Sequence, residues 1–217
     1  MSLKIKTLSS SLMGNNVAIL YDDATRRTVI IDPSFEPENI LAFVQDNALS
    51  VKMIMCTHGH FDHFAGLAYL LANLAPKPEV ALHKDDLALW RAGGGAVHFR
   101  IPIDIPADPD VYLTDEQTIQ LGEGEIQIRH TPGHTPGSVV FYIKVLDVTL
   151  VGDLIFHQGI GRTDLDGGNF EVLKTSIKTK IFTLPPQTML IPGHGPITTV
   201  ESEMRLNPYV GSATLFL

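Results

Sequence analysis

A single cysteine, Cys56, is all the thiol chemistry this chain has. No internal disulfide can form, so the fold rests on its core and a reducing compartment is permitted. Basic residues are also short: 16 Lys and Arg against 24 Asp and Glu leave a formal charge of −8. That balance argues against a nucleic-acid groove or an anionic membrane surface as partner. No run approaches the ~18 uninterrupted apolar residues of a bilayer span. The opening MSLKIKTLSSSLMGNN lacks the basic head and apolar block of a secretory signal. A cytoplasmic protein without a membrane partner is therefore expected. Charged residues at 18% beside 44% hydrophobic ones exclude a disordered or fibrous chain. No shift in composition marks a second domain, so a single domain over 1–217 is expected.

Short β-branched runs bounded by turns predict strands at Ile5–Leu8, Val17–Tyr21, Thr28–Ile31, Val51–Cys56 and Val80–His83. A second set follows at Thr118–Leu121, Glu125–Arg129, Val139–Ile143, Thr149–Val151 and Met189–Ile191. Helical spacing of apolar residues marks Pro37–Asn47, Phe64–Leu74, Lys84–Arg91 and Phe170–Phe182, with a short helix near Glu201. Residues 92–112, with three consecutive glycines and Pro102, Pro106 and Pro109, read as an irregular loop, a lid or a partner surface. Strands and helices recur twice in similar proportion. The pattern predicts an α/β (α+β) fold with two sheets face to face and helices outside.

What the chain has in abundance is histidine, nine in all. His58-Gly59-His60-Phe61-Asp62-His63 packs four candidate ligands into six residues between a strand and a helix. Imidazole and carboxylate suit Zn, Fe or Mn rather than a thiolate site. One metal needs only three or four such groups. Three later strand ends enlarge the set: His134 in TPGHTPG, Asp153 in VGD, and His194 in IPGHG. Five histidines and two aspartates match two metals about 3.5–4 Å apart sharing a carboxylate.

These motifs, THGHFDH, TPGHTPGS, GD and PGHG, resemble those of the metallo-β-lactamase superfamily over about Asn16 to Tyr209. The resemblance implies a four-layer αβ/βα sandwich with the site between the sheet edges. It implies that His58, His60 and His134 bind one metal, that Asp62, His63 and His194 bind the second, and that Asp153 bridges them. Two divalent ions, Zn foremost with Fe or Mn as alternatives, would share a hydroxide that attacks the substrate carbonyl, with Asp62 orienting it as a catalytic group. β-Lactamases of the superfamily place a cysteine at one zinc. Cys56 lies outside the motif, so antibiotic hydrolysis is not expected, and the RNA-processing branch is set aside for want of further motifs.

Within the superfamily the chain is similar to short-form glyoxalase II enzymes. GIGRTDL at Gly159–Leu165 follows the bridging aspartate, and Glu203 with Asn207-Pro208-Tyr209 comes near the end. That implies a small-molecule thioester such as S-D-lactoylglutathione, with Arg162 gripping a glutathione carboxylate; a salt bridge of Arg162 with Asp164 is the plainer alternative. The chain ends at Leu217, soon after His194, so no C-terminal helical glutathione-binding region is expected. Persulfide dioxygenases of the superfamily, with one iron on two histidines and the aspartate, also carry GRTD and form the competing reading. Asp32 is read as either a partner of a ligand histidine or a turn cap. Cys56 reads as a packed strand residue, His83, His98 and His157 as surface or loop residues, and His130 as the substitute should His134 not be a ligand. Trp90 reads as packing over the irregular loop, at the edge of a substrate mouth.

Overall fold

The computed structural model describes residues 3–212; residues 1, 2 and 213–217 of the expected single domain lie outside them. One sheet sets β1 (Leu3–Ser9), β2 (Asn16–Asp22), β3 (Arg27–Ile31), β4 (Ser50–Met55), β5 (Glu79–His83) and β6 (Val111–Leu113) side by side in chain order. Hairpins make β1, β2 and β3 antiparallel, while crossovers make β3 to β6 parallel. The second sheet contains β7 (Thr118–Leu121), β8 (Gly124–His130), β9 (Val139–Ile143) and β10 (Val148–Gly152). A separate hairpin of β11 (Ile155–Phe156) and β12 (Gly159–Ile160) follows, and the sheet then gains β13 (Met189–Pro192) and β14 (Thr198–Thr199). Its order is β14-β13-β10-β9-β8-β7, and only β10 and β13 are parallel neighbours.

The layering follows from alternation along the strands. In β2, Leu20 points into a core shared with Val29, Ile31 and Met55 and with Ile126, Ile128, Phe141 and Leu150 of the second sheet. Its neighbour Ile19 points the other way, with Ile30 and Ile54, onto α1 (Pro37–Asp46) and α2 (Leu67–Asn73) through Ile40, Val44, Leu67 and Leu70. On the far side Val140, Tyr142, Val151 and Leu190 meet Leu173, Ile177 and Ile181. Three apolar cores separate four layers, so the expected αβ/βα sandwich is found.

Several elements differ from expectation. The helix predicted from Lys84 begins as a 3₁₀ turn over Lys84–Asp86 and continues as α3 (Leu87–Arg91). The loop at 92–112 contains a helical turn, α4 (Ala96–Phe99), and residues 111 and 112 already pair in β6. Trp90 is fully buried against Phe64 at 4.3 Å between ring centroids, and its indole N–H donates to the Ala107 carbonyl at 3.2 Å. It therefore ties the loop down from beneath and does not line a mouth. The helix from Phe170, α5 (Phe170–Ser176), runs on as a π-helical turn over Ile177–Ile181. The short helix near Glu201 is α6 (Val200–Leu206).

Candidate metal centre

Strand direction assembles the site. β4 in one sheet and β8, β10 and β13 in the other all end at the same rim, and their C-terminal loops carry the His58–His63 run, His134, Asp153 and His194. The β1–β2 turn closes this rim: Asn16 N–H donates to the Gly193 carbonyl at 2.8 Å, and Asn15 pairs with His194 as an isolated bridge. Gly193 has no room for a side chain, since a Cβ there would lie 2.2 Å from Asp153 Oδ1 and 2.6 Å from His63 Cε1.

The seven predicted residues come together. Ligand atoms of His58, His60 and His134 lie within 4.8 Å of one another, as do those of Asp62, His63 and His194. Asp153 sits between the two sets: its Oδ1 is 3.4 Å from His63 Nε2, and its Oδ2 is 3.6 Å from His134 Nε2 and 3.8 Å from His194 Nε2. His58, His63 and Asp153 form a third grouping across the divide.

The hydrogen bonds behind the rings set which nitrogen faces inward. His134 Nδ1 donates to the Arg162 carbonyl at 2.8 Å, His194 Nδ1 to the Met13 carbonyl at 2.9 Å, and His63 Nδ1 to Asp32 Oδ2 at 2.9 Å. The Thr57 hydroxyl donates to Asp32 at 2.7 Å, which leaves its oxygen to accept from His58 Nδ1 at 3.0 Å. In its neutral form each of these four rings therefore turns a lone pair inward. His58 Nε2 and His134 Nε2 face each other at 3.2 Å, and His60 Nδ1 approaches His134 Nε2 at 2.9 Å. The lone pairs of His58 and His134 at that distance repel unless a cation lies between them. Among the described residues His63 Nε2 and Asp153 Oδ1 are buried without a hydrogen-bond partner, a costly state that a metal ion would relieve. The donor set fits divalent ions on these grounds.

The electrostatics agree. Burial and the neighbouring His63 and His134 hold the His58 pKa well below its usual value, and burial with His134 lowers His60 to about 4. Both are neutral donors near pH 7. Burial opposes charge on His63, yet Asp62, Asp32 and Asp153 raise its pKa well above the ordinary range. Three carboxylates thus demand positive charge at this spot. Burial also opposes the Asp62 carboxylate, but His63, His194 and the Asn15 amide at 2.9 Å keep its pKa low.

A cleft of about 600 Å³ opens on these residues, with Met13, Phe61, Leu89 and Phe99 on its apolar side. Gly94, Gly95, His98 and Phe99 line it, which makes part of the 92–112 loop a wall of the cleft. Arg162, Asp164 and Asp166 stand on another side, and Arg162 is paired with Asp164 as in the plainer alternative. The β11–β12 hairpin that delivers Arg162 is pinned from below: buried Glu203 accepts from Gln158 N–H, and Asn207 Nδ2 donates to the Gly159 carbonyl. A shallow depression at Asp22, Asp23, Gly122 and Glu123 lies at the other end of the strands and contains none of these groups.

Asp32 is a partner of a candidate ligand, the first of its two readings. Cys56 is buried as expected. His98 and His157 are exposed, but His83 is buried, with its ring stacked on His130 at 4.1 Å. The surface reading of His83 is thus corrected: β8, from the opposite sheet, covers the end of β5. His130 Nε2 donates to the Pro136 carbonyl and His130 belongs to neither set of converging donors. Sequence reasoning missed Asn15 and Asp86, whose side chains bond to distant loops.

The family model for the metallo-beta-lactamase superfamily matches residues 13–194. A probable metallo-hydrolase of Bacillus subtilis, YqgX, is 35% identical over 210 residues, covering 94% of this chain and 95% of that protein. The hydroxyacylglutathione hydrolase GloC of Haemophilus influenzae is 31% identical over 211 residues, covering 97% of this chain and 99% of its own. Among solved structures, the B3 metallo-beta-lactamase BLEG-1 superposes with a TM-score of 0.88 at 34% identity, covering 95% of this chain and 99% of that one. TTHA1623 in a di-iron-bound form gives 0.84 at 34% identity, covering 94% and 99%. Likeness to a chain described as a β-lactamase means that the exclusion drawn from the cysteine gains no support from the comparisons.

Proposed function

The chain belongs to the metallo-β-lactamase superfamily of metal-dependent hydrolases, and from that footing we propose that it hydrolyses acyl thioesters, with S-D-lactoylglutathione as the first candidate substrate. The observation that carries the reading is the pair of three-donor sets on either side of Asp153. His58, His60 and His134 would hold one ion, Asp62, His63 and His194 the other, with Asp153 shared between them. Divalent ions bound there would supply a water acidified toward a pKa of about 7 and a Lewis acid for a carbonyl oxygen. We take Zn²⁺ first; Fe and Mn suit the same donors, and the di-iron-bound form of TTHA1623 makes iron the ion to compare.

The chain's own residues do the rest. Asp32, Thr57, Met13 and the Arg162 carbonyl fix the rings, so little reorganisation accompanies the reaction. Asp62, kept ionised and oriented by Asn15, lines the cleft and can accept a hydrogen bond from a hydroxyl or water there. The apolar wall of Phe61, Leu89 and Phe99 excludes water from one side of the acyl group. Arg162 stands where a substrate carboxylate can meet its planar fork. A thiol leaving group ionises near a pKa of about 8.5 and needs no strong general acid. The GloC relative, named for hydroxyacylglutathione hydrolysis, supports the thioester reading.

The test is thiol release from S-D-lactoylglutathione by metal-replete protein, with a β-lactam as control. Saturable turnover on the thioester is expected. Bound metals without turnover would remove this substrate, and oxygen uptake with glutathione persulfide would move the assignment to the dioxygenase reading.

A further inference from the structure

Asp86 ends the 3₁₀ turn after β5 and is fully buried. Its Oδ2 accepts the Gly59 N–H at 2.8 Å and the Thr135 hydroxyl at 2.7 Å, and its Oδ1 accepts the Gly137 N–H at 2.6 Å. Gly59 lies between His58 and His60, and Thr135 directly follows His134. One carboxylate thus bonds to backbone or side-chain donors one residue away from every member of the first donor set. The fit is close: a Cβ on Gly137 would stand 2.7 Å from Asp86 Cγ, and one on Gly59 would stand 3.2 Å from Asp86 Cβ. The other set has different supports, namely Asp32 behind His63, Asn15 beside Asp62 and Met13 behind His194.

A buried carboxylate is costly to desolvate. Burial pushes the Asp86 pKa up, opposed by the bonds from Thr135, Gly59 and Gly137. A carboxylate buried at that cost, whose donors come from two loops of opposite sheets, holds those loops to each other. We propose that Asp86 is a positioning residue for the first metal: it clamps the His58–His60 turn to the His134 turn and so sets the convergence of those three imidazoles. The inference rests on reading His58, His60 and His134 as ligands.

The experiment measures Zn²⁺ affinity by chelator competition in two single-site backgrounds. His194→Ala retains the first set, and His60→Ala retains the second. Asp86→Asn turns one acceptor into a donor facing another donor. It should weaken Zn²⁺ binding about 10- to 100-fold in the His194→Ala background, as loss of an outer-shell partner does. In the His60→Ala background the change should stay under about 3-fold, since no bond from Asp86 reaches that set. Thr135→Val, a milder change that deletes one of the three donors, should weaken only the first site, by about 3- to 10-fold. It decides the question if Asp86→Asn does not fold. Equal weakening in both backgrounds, or none in the first, overturns this inference alone, because a merely structural carboxylate would not discriminate between the sites. Two ions still bound by the His194→Ala parent would overturn the ligand reading and this inference with it.

Discussion

Arg162 and Asp164 face each other through two parallel hydrogen bonds, Nε to Oδ1 and Nη2 to Oδ2, each 2.8 Å long, beside the metal-centre cleft. The side chains are 51% and 69% exposed, so solvent screens the pair and it contributes little to stability. A substrate carboxylate can therefore displace Asp164 at small cost. The bond from Arg162 lowers the Asp164 pKa to about 2, so the competing charge persists at every assay pH above that. Asp164→Asn should lower KM for a carboxylate-bearing thioester about 3-fold and leave KM for an uncharged thioester unaltered. A raised KM would show instead that Asp164 holds Arg162 in its working pose.

His194→Ala should remove one of the two ions. Its Nε2 lies 3.0 Å from Asp62 Oδ2, and among the described residues no other imidazole groups with both Asp62 and His63. Metal analysis should find one ion per chain, with most hydrolysis lost and far-ultraviolet circular dichroism unaltered. Full two-metal content in this variant is the result that would falsify the assignment.

Asp32→Asn should act at a distance from the cleft. Asp32 Oδ2 accepts from both His63 Nδ1 and Thr57 Oγ1, and its Oδ1 accepts from Thr57 N–H at 2.7 Å. An amide nitrogen there would face a donor and loosen the His63 ring. The expected cost is about 10- to 100-fold in affinity at the site containing His63. Isothermal titration against chelator would read it, and an unaltered affinity would reduce Asp32 to a turn cap.

The His83–His130 stack should make stability depend on pH. Burial, then the neighbouring His130, lowers the His83 pKa below 6.5, against the opposing pull of Asp85 and Asp115 and with Lys84 adding to the shift. As pH falls below 6.5 the unfolded chain takes up this proton before the native chain does. Native stability therefore declines with falling pH and is fully regained above that value. His83→Phe keeps a ring on His130 and removes the titration. Urea midpoints at two pH values either side of 6 should drop less in this variant than in the parent; an equal drop would assign the effect to other groups.

The metal motif was legible because four of its candidate ligands are local, and the other three sit where apolar runs stop at Gly or Gly-Pro turns. The sandwich was legible because Ile19 and Leu20, or Ile30 and Ile31, alternate between two apolar environments. Asp86 was not legible: its partners are 27 to 51 residues away and two of them are backbone N–H groups with no side-chain signature. His83 was misread because its cover comes from another sheet. The turn at Ala96–Phe99 was missed because three glycines precede it, all with positive φ. Gly94 needs that freedom, since a Cβ on it would lie 2.3 Å from the Phe61 nitrogen.

The latch between the β1–β2 turn and the loop after β13 also bears on the order in which the molecule can be completed. His58, His60 and His134 all come before residue 135, whereas His194 lies 60 residues beyond His134 and must travel back to Met13 and Asn15. A growing chain thus contains the residues of one donor set well before the other is complete, and the last ring to arrive is the one that fastens the first turn in place.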